Sequence, residues 1–440
     1  MGNTAGGTDA SAPDVITALL PPVSPTYQDQ LAQWAKDFEI ANPNLTLLIN
    51  KAGWEDITGT LNAMINAGAP PDIAFIGSGG IYKYLSAGIL TDITGLMTPE
   101  MKSDYNAGAL AYFKNKDGLY GLPAYMNAQS IGGDRYQLEA AGVDWKSVQK
   151  NGWTYDRFRE AIKAGNVTAD GKTAYGFVFA CDGVTAMDYL SIFSKCAGMP
   201  GPFTADLKYA YTGKNMLKLL TDMRQMIDDG SMPDNLDTID SGARWDMFLK
   251  GRVMIIGKGL PIFENLAAQN NAEMDAGGSV PGSVKTEYIV LPAPAFFGCE
   301  QRTQVAVDGY VCLKADSAVS KHQADAVKAM YFLGSGERAA YADMELFCDS
   351  VCKSAAAVYR QPAGRSEDNA NAAKLLISRA APPNPDIPAG LYAKSDEITH
   401  NTIIPMFQRM LAGKASPREV YDAIVTAAVA AFGEDGILKE

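Results

Sequence analysis

The run Val15-Ile16-Thr17-Ala18-Leu19-Leu20 is too short and too uniformly apolar for an amphipathic helix, so it reads as a buried strand. The residues after this strand decide the fold class. Ser24-Pro25 supplies a helix cap and a first-turn proline, and Leu31, Trp34, Phe38 and Ala41 recur at helical spacing until Pro43. Leu45 to Ile49 form a second strand, and Ile57, Leu61 and Met64 mark a second helix. Gly68-Ala69-Pro70-Pro71 then turns the chain into a third strand, Ile73-Ala74-Phe75-Ile76. Strand and helix periods alternating in this way are the signature of βαβ units and a largely parallel sheet.

Beyond Gly121 the pattern becomes helix-rich. Helices are expected near 154–164, 186–197, 214–229, 242–250 and 261–269, with short strands at Tyr175–Phe179, Val253–Ile256 and Tyr288–Leu291. A strand from Val305 to Leu313 precedes a helix carrying Ala324, Val327, Tyr331 and Leu333. Two helices close the chain, the last opening on the capping box Ser416-Pro417-Arg418-Glu419 and ending at Gly433. Pro382-Pro383-Asn384-Pro385-Asp386-Ile387-Pro388 is a stiff connector too short to separate domains.

The 440 residues, 47% hydrophobic and 20% charged, suffice for two or three cored domains. The formal net charge of -12 repels phosphate backbones and anionic headgroups, which argues against nucleic acid as a partner. Six cysteines permit an oxidising compartment without requiring one. Cys181/Cys196 and Cys299/Cys312 are close enough in sequence to bridge, buried free thiols being the alternative, while Cys348 and Cys352 would pair poorly within a helix. His322 and His400 are the only histidines, and neither has a cysteine or histidine at metal-ligand spacing, so no metal site is expected. The small, polar start Met1–Ser11 reads as a tether of the kind left after removal of an export signal.

Catalytic motifs are hard to support. Gly171-Lys172-Thr173 fails as a phosphate loop because Asn166 stands where that motif needs glycine. Gly77-Ser78-Gly79-Gly80 follows a strand and opens a helix, a turn whose backbone donors could hold an anion or a ligand hydroxyl. There is no Gly-x-Ser-x-Gly elbow, and no catalytic residue or cofactor is expected. What stands out is the placing of aromatic and amide residues (Trp54, Tyr125, Asn127, Gln129, Trp245, Tyr310, Tyr392) at or near the ends of elements.

Taken in order, several segments resemble the extracellular solute-binding proteins of bacterial ABC importers, the sugar-binding family 1 that includes maltose-binding proteins. They are Leu31–Glu39 before Asn42-Pro43, Ala67–Ile73, Ala87–Ile93, Asp117–Pro123, Glu139–Gly142 with Gly152–Phe158, Phe248–Met254, Val290-Leu291-Pro292 and Met410–Glu419. Two stretches depart from the family pattern: Gly257-Lys258-Gly259-Leu260 lacks the usual tryptophan, and Ser130–Tyr136 replaces an aromatic segment. The resemblance implies an α/β, two-lobe fold of the type II periplasmic-binding-protein kind. After a tether over residues 1–13, the lobes would comprise 14–123 plus 293–347 and 124–292 plus 348–440. Crossings near Leu122-Pro123, near Leu291-Pro292 and around Phe347–Ser354 would act as a hinge that closes on a ligand held between the lobes.

The resemblance further implies a monomer that captures a carbohydrate, performs no chemistry and delivers its ligand to an ABC transporter permease. Its place would be extracytoplasmic, as a cell-surface lipoprotein or a periplasmic protein. Sugars offer apolar C–H faces to aromatic rings and hydroxyls to donors and acceptors. Carried over from the family, the ligand residues are Trp54, Ser78, Tyr125, Asn127, Asp182, Trp245, Lys258, Asp308, Tyr310 and Tyr392. The rival readings are a binding protein for a peptide, polyamine or organic anion, and an extracellular glycoside-active enzyme. Lys258 and Arg244, if both face the ligand, would favour an acidic or uronic one.

Overall fold

A computed structural model describes residues 13–169, 171–182, 186–314 and 321–439; of the expected tether, only Pro13 lies among them. The strands are β1 (Asp14–Leu20), β2 (Leu45–Lys51), β3 (Ile73–Gly77), β4 (Lys114–Asn115), β5 (Gly118–Leu119), β6 (Leu122–Asp134), β7 (Val167–Ala169), β8 (Lys172–Val178), β9 (Val253–Gly259), β10 (Tyr288–Leu291) and β11 (Gln304–Cys312). The chain divides into two compact units. The first holds the described residues up to Ala124, with Asp308–Ala342 and Ser350–Tyr359; the second holds Tyr125–Val307, Asp343–Asp349 and Arg360 onward.

In the first unit β1 pairs in parallel with β2 along its whole length and with β3, as the alternating periods require. The end of β11 then joins β3 antiparallel, from Asp308 opposite Gly77 to Cys312 opposite Ile73. The crossover helix Tyr27–Ala41 buries Tyr27, Leu31, Trp34 and Phe38, the stripe visible in the sequence. Trp34 meets Tyr27 edge-on at 5.2 Å, and Phe38 meets Phe332 edge-on at the same separation. These contacts bind the helix to the sheet.

In the second unit the strands run in the order β6-β9-β8-β7, with β10 antiparallel to β6. β8 and β9 run parallel, and Phe158, Phe177, Phe179, Tyr189 and Phe193 form an aromatic core beside them. Near the C-terminus the helix Ala389–Ile398 widens into a π-turn over Thr399–Ile403 before the helix Ile404–Leu411. Pro405 accounts for that widening, because it has no N–H to return to the carbonyl four residues back.

The boundaries between units differ from expectation in two places. Leu291 and Pro292 do not leave the second unit: Leu291 is in ladder with Ile131, and Trp153 Nε1 donates to the Pro292 carbonyl at 2.8 Å. The passage comes instead between Val307 and Asp308. The segment 343–349 also belongs to the second unit, whereas 350–359 rejoins the first, where Asn106 N donates to Val351 O at 2.8 Å and Lys353 Nζ to Ser103 O at 2.6 Å. Residues 347–352 are not helical, and all six cysteines are free thiols, five of them buried.

In the first unit His322 joins two strand starts. Its Nδ1 lies 2.8 Å from Asp14 Oδ2 and its Nε2 2.8 Å from Asp72 Oδ1, while Asp72 Oδ2 accepts from the Thr17 N–H and hydroxyl. Partial burial opposes the imidazolium, but the hydrogen bonds and charges of Asp14 and Asp72 outweigh it, and the His322 pKa lies above its ordinary 6.5. A raised folded-state pKa means the clamp stabilises fully below pH 6.5 and weakens as pH rises through the folded value. Thermal unfolding of wild type and His322→Gln across pH 5.5 to 9 should therefore give a stability gap that is widest at the acid end and shrinks with rising pH. A gap that widens with pH contradicts the clamp.

Candidate functional site

Residues expected at the site fall into two groups, one in each unit. In the first unit they collect at the carboxyl end of β3, where open α/β sheets commonly bind ligands. Ser78 opens the short turn Ser78–Gly80 and is largely buried. Asp308 sits opposite Gly77, so close that a β-carbon on Gly77 would stand 2.9 Å from Asp308 Oδ1. Trp54 lies before the helix Ile57–Asn66, 45% exposed, with its indole N–H on the Pro22 carbonyl at 2.9 Å and its ring edge-on to Phe75 at 5.9 Å. The N–H bond and the Phe75 contact fix the ring while a face remains open to solvent.

Tyr310 does not share that exposure. It lies opposite Phe75 in the ladder, meets that ring edge-on at 5.2 Å, and its hydroxyl is 2.7 Å from that of Tyr27. Its 1% exposure makes it a core residue of the first unit rather than a sugar platform. An aromatic at a strand end looks the same in sequence whichever way its neighbours pack.

In the second unit the backbone itself is distinctive. Ser130 pairs with Gly259 and Ile131 with Gly257, so Lys258 is the extra residue of a β-bulge. Its φ is 55°, the left-handed region, which costs a residue with a β-carbon on the order of 1–2 kcal/mol. Neither neighbour could be anything but glycine. A β-carbon on Gly257 would fall 2.5 Å from Phe179 Cβ, and one on Gly259 2.4 Å from the backbone of Ile131. The bulge re-aims the lysine, whose Nζ reaches Asp188 Oδ2 at 2.5 Å, both side chains staying about a quarter exposed. Asp188 lies in the first turn of the helix Ala186–Cys196.

Arg244 lies beneath this bulge. Only 3% exposed, it donates through Nη1 to the Gly257 carbonyl at 2.7 Å, while its Nε is buried without a hydrogen-bond partner. Burial lowers its pKa to about 10, against the opposing pull of Tyr288 and Asp188, and it stays charged at neutral pH. Its guanidinium sits 5.4 Å from the Phe263 ring centre, and Phe263 stacks on half-buried Trp245 at 4.7 Å and 19°. Trp245 in turn stacks on Phe248 at 5.2 Å. A stack of aromatic rings and an ion-paired lysine are thus joined through one arginine. Asp188 escaped sequence reading because it stands 70 residues from its lysine, and Phe263 because it reads as ordinary helix core.

Tyr125 is buried in β6, and Asn127, also buried, accepts the Cys348 thiol through Oδ1 at 2.6 Å. Asp182 is exposed, its N–H sharing the Ile239 carbonyl with that of Cys181. Tyr392, on the helix Ala389–Ile398, packs edge-on to Phe203 at 5.8 Å. Among the described residues no group of three or more His, Cys, Asp or Glu side chains is disposed to hold a metal ion, and no helix is long and apolar enough to cross a membrane.

Residues 33–356 match the family model described as bacterial extracellular solute-binding protein. The chain belongs to this family. A Brucella abortus (strain 2308) protein named only as a binding protein is 28% identical over 142 residues, 32% of this chain; the match spans a third of that relative's own length. Two solved structures have the same fold over nearly their full length. A solute-binding protein of an ABC transporter from Thermotoga lettingae TMO, bound with alpha-D-tagatose, gives a TM-score of 0.74 at 18% identity, covering 94% of this chain and 99% of the other. Maltose-bound MalE3 of T. maritima gives 0.72 at 16% identity, covering 94% and 98%. The two-lobe α/β architecture of the family is therefore the architecture of this chain.

The assignment of Tyr310 to the core gives a direct check. Tyr310→Phe leaves the buried Tyr27 hydroxyl without its partner and should cost about 1–2 kcal/mol of unfolding free energy in denaturant titration. Ligand affinity should stay unchanged. A loss of affinity with no loss of stability returns the residue to the site.

Proposed function

We propose that this solute-binding protein captures a carbohydrate outside the cytoplasm and delivers it, chemically unchanged, to an ABC transporter permease. The observation that carries the proposal is the partly exposed Trp245 ring, stacked with Phe263 and Phe248 and joined through Arg244 to the Lys258–Asp188 pair. A stacked aromatic offers a flat face to sugar C–H groups, and a lysine beside a carboxylate supplies donor and acceptor for hydroxyls. The sugars held by both structural relatives support this reading, as does the arrangement of Trp54, Ser78 and Asp308 in the first unit. Trp54 there offers an exposed ring, and Ser78 and Asp308 are polar groups of the kind hydroxyls require. A binding role needs no nucleophile–base pair, and the reading assigns none. The protein would act as a monomer.

Calorimetric titration and thermal shift over a panel of neutral and acidic oligosaccharides, with chromatography of the recovered sugar, test the proposal. One class should raise the melting temperature and be recovered intact. Trp245→Ala should then weaken binding by about 30-fold, or about 2 kcal/mol. The Trp34→Ala control should cost about 3–5 kcal/mol of stability and leave the affinity of the folded fraction alone. New products would make the protein an enzyme, and a shift only with peptides or polyamines would assign a different solute.

A further inference from the structure

The lysine in the bulge occupies a conformation that glycine would adopt without strain, between two glycines that the packing demands. A strained residue with a partly exposed charge points to a use for that charge. The local balance says which. Lys258 and Arg244 are both cations, and Asp188 is the carboxylate that faces them: it holds Lys258 directly and acts on Arg244 through its charge. Among the described residues the other acids on the elements carrying this cluster have partners of their own: Glu264 accepts the Ser366 N–H at 2.8 Å and faces Arg365, Asp240 caps its own helix by accepting the Ala243 N–H at 2.7 Å, and Asp246 pairs with Lys250 at 2.7 Å. Among the described residues, Asp188 is thus the carboxylate that bonds Lys258 and also acts on Arg244. Arg244 is too deeply buried to touch a ligand; it positions the bulge by holding the Gly257 carbonyl and leaves a positive charge beneath Lys258.

We propose that the Gly257–Lys258–Gly259 bulge reads a carboxylate on the ligand, making the preferred solute a uronic-acid-containing saccharide, with the Lys258 ammonium as the contact and the Trp245 face holding the sugar ring. This inference rests on the carbohydrate reading and narrows it. An ammonium has three donors, and the bond to Asp188 uses one of them, so a ligand carboxylate can be accepted without breaking the pair. A partly exposed ammonium also explains how a chain with a net charge of -12 would attract an anion.

The test is titration with galacturonate, alginate and glucuronate oligosaccharides, each beside its carboxyl-reduced counterpart, which keeps ring and linkage but loses the charge. At least one acidic member should bind 10-fold or more tighter than its reduced form, with affinity falling as salt rises. Lys258→Met should remove that preference. Lys258→Gly should remove it as well, yet melt no lower than wild type, because the left-handed backbone is relieved. Reduced and acidic forms binding equally well overturn the carboxylate assignment and leave the carbohydrate reading standing. If no saccharide of either kind binds, the carbohydrate reading fails and this inference with it. A Lys258→Gly protein that melts well below wild type while keeping the acidic preference makes the lysine structural and overturns the proposal.

Discussion

The second unit is organised around a close approach of backbones that only glycine permits. Where β9 passes β6 and Phe179, Gly257 and Gly259 leave no room for a β-carbon, and the residue between them is squeezed out of the ladder. That residue is a lysine. Its backbone strain persists because the ladder on one side and the Arg244–Gly257 hydrogen bond on the other fix the conformation. The Lys258–Asp188 pair is partly exposed, so as an ion pair it contributes only about 0–1 kcal/mol of stability. Such a pair does not offset the strain, which separates its presence from the needs of folding.

In the first unit a different constraint acts. Parallel pairing of β1, β2 and β3 sends the crossover helices over the sheet and leaves the turns after the strands at one end. Ser78 and Trp54 lie in such turns, and Asp308 is brought beside Ser78 because β11 runs antiparallel to β3 with Asp308, its first residue paired to that strand, opposite Gly77. Exposed Trp54 and partly exposed Trp245 each pack against buried rings, Phe75 in one unit and Phe263 and Phe248 in the other. A ring that is already ordered loses little side-chain entropy when a ligand stacks on it.

Much of this is legible in the sequence, for identifiable reasons. β1 to β3 and the helix Tyr27–Ala41 announce themselves because their periods are clean and their turns carry proline and glycine. β6 does not: Asn127, Gln129, Ser130, Gly132 and Gly133 look like a loop, yet Gly132 is glycine because the Tyr288 ring would stand 2.3 Å from any β-carbon there. The passage between units falls at Val307 rather than at Leu291-Pro292 because proline marks a turn without saying which sheet claims the strand before it. Lys258 and Trp245 come from family resemblance, whereas Asp188 and the positioning role of Arg244 depend on tertiary pairings that no local pattern encodes. Tyr310 shows the converse, an aromatic whose position suggests a platform and whose neighbours make it core.

A crystal structure of the protein with a bound oligosaccharide tests these relations most directly. A sugar ring should lie face-on against the Trp245 indole, with a polar group of the same sugar within hydrogen-bond distance of Lys258 Nζ, and Lys258 still in its left-handed conformation. A ligand bound away from Trp245, with the Lys258–Asp188 pair untouched, would contradict both the platform and the use assigned to the bulge.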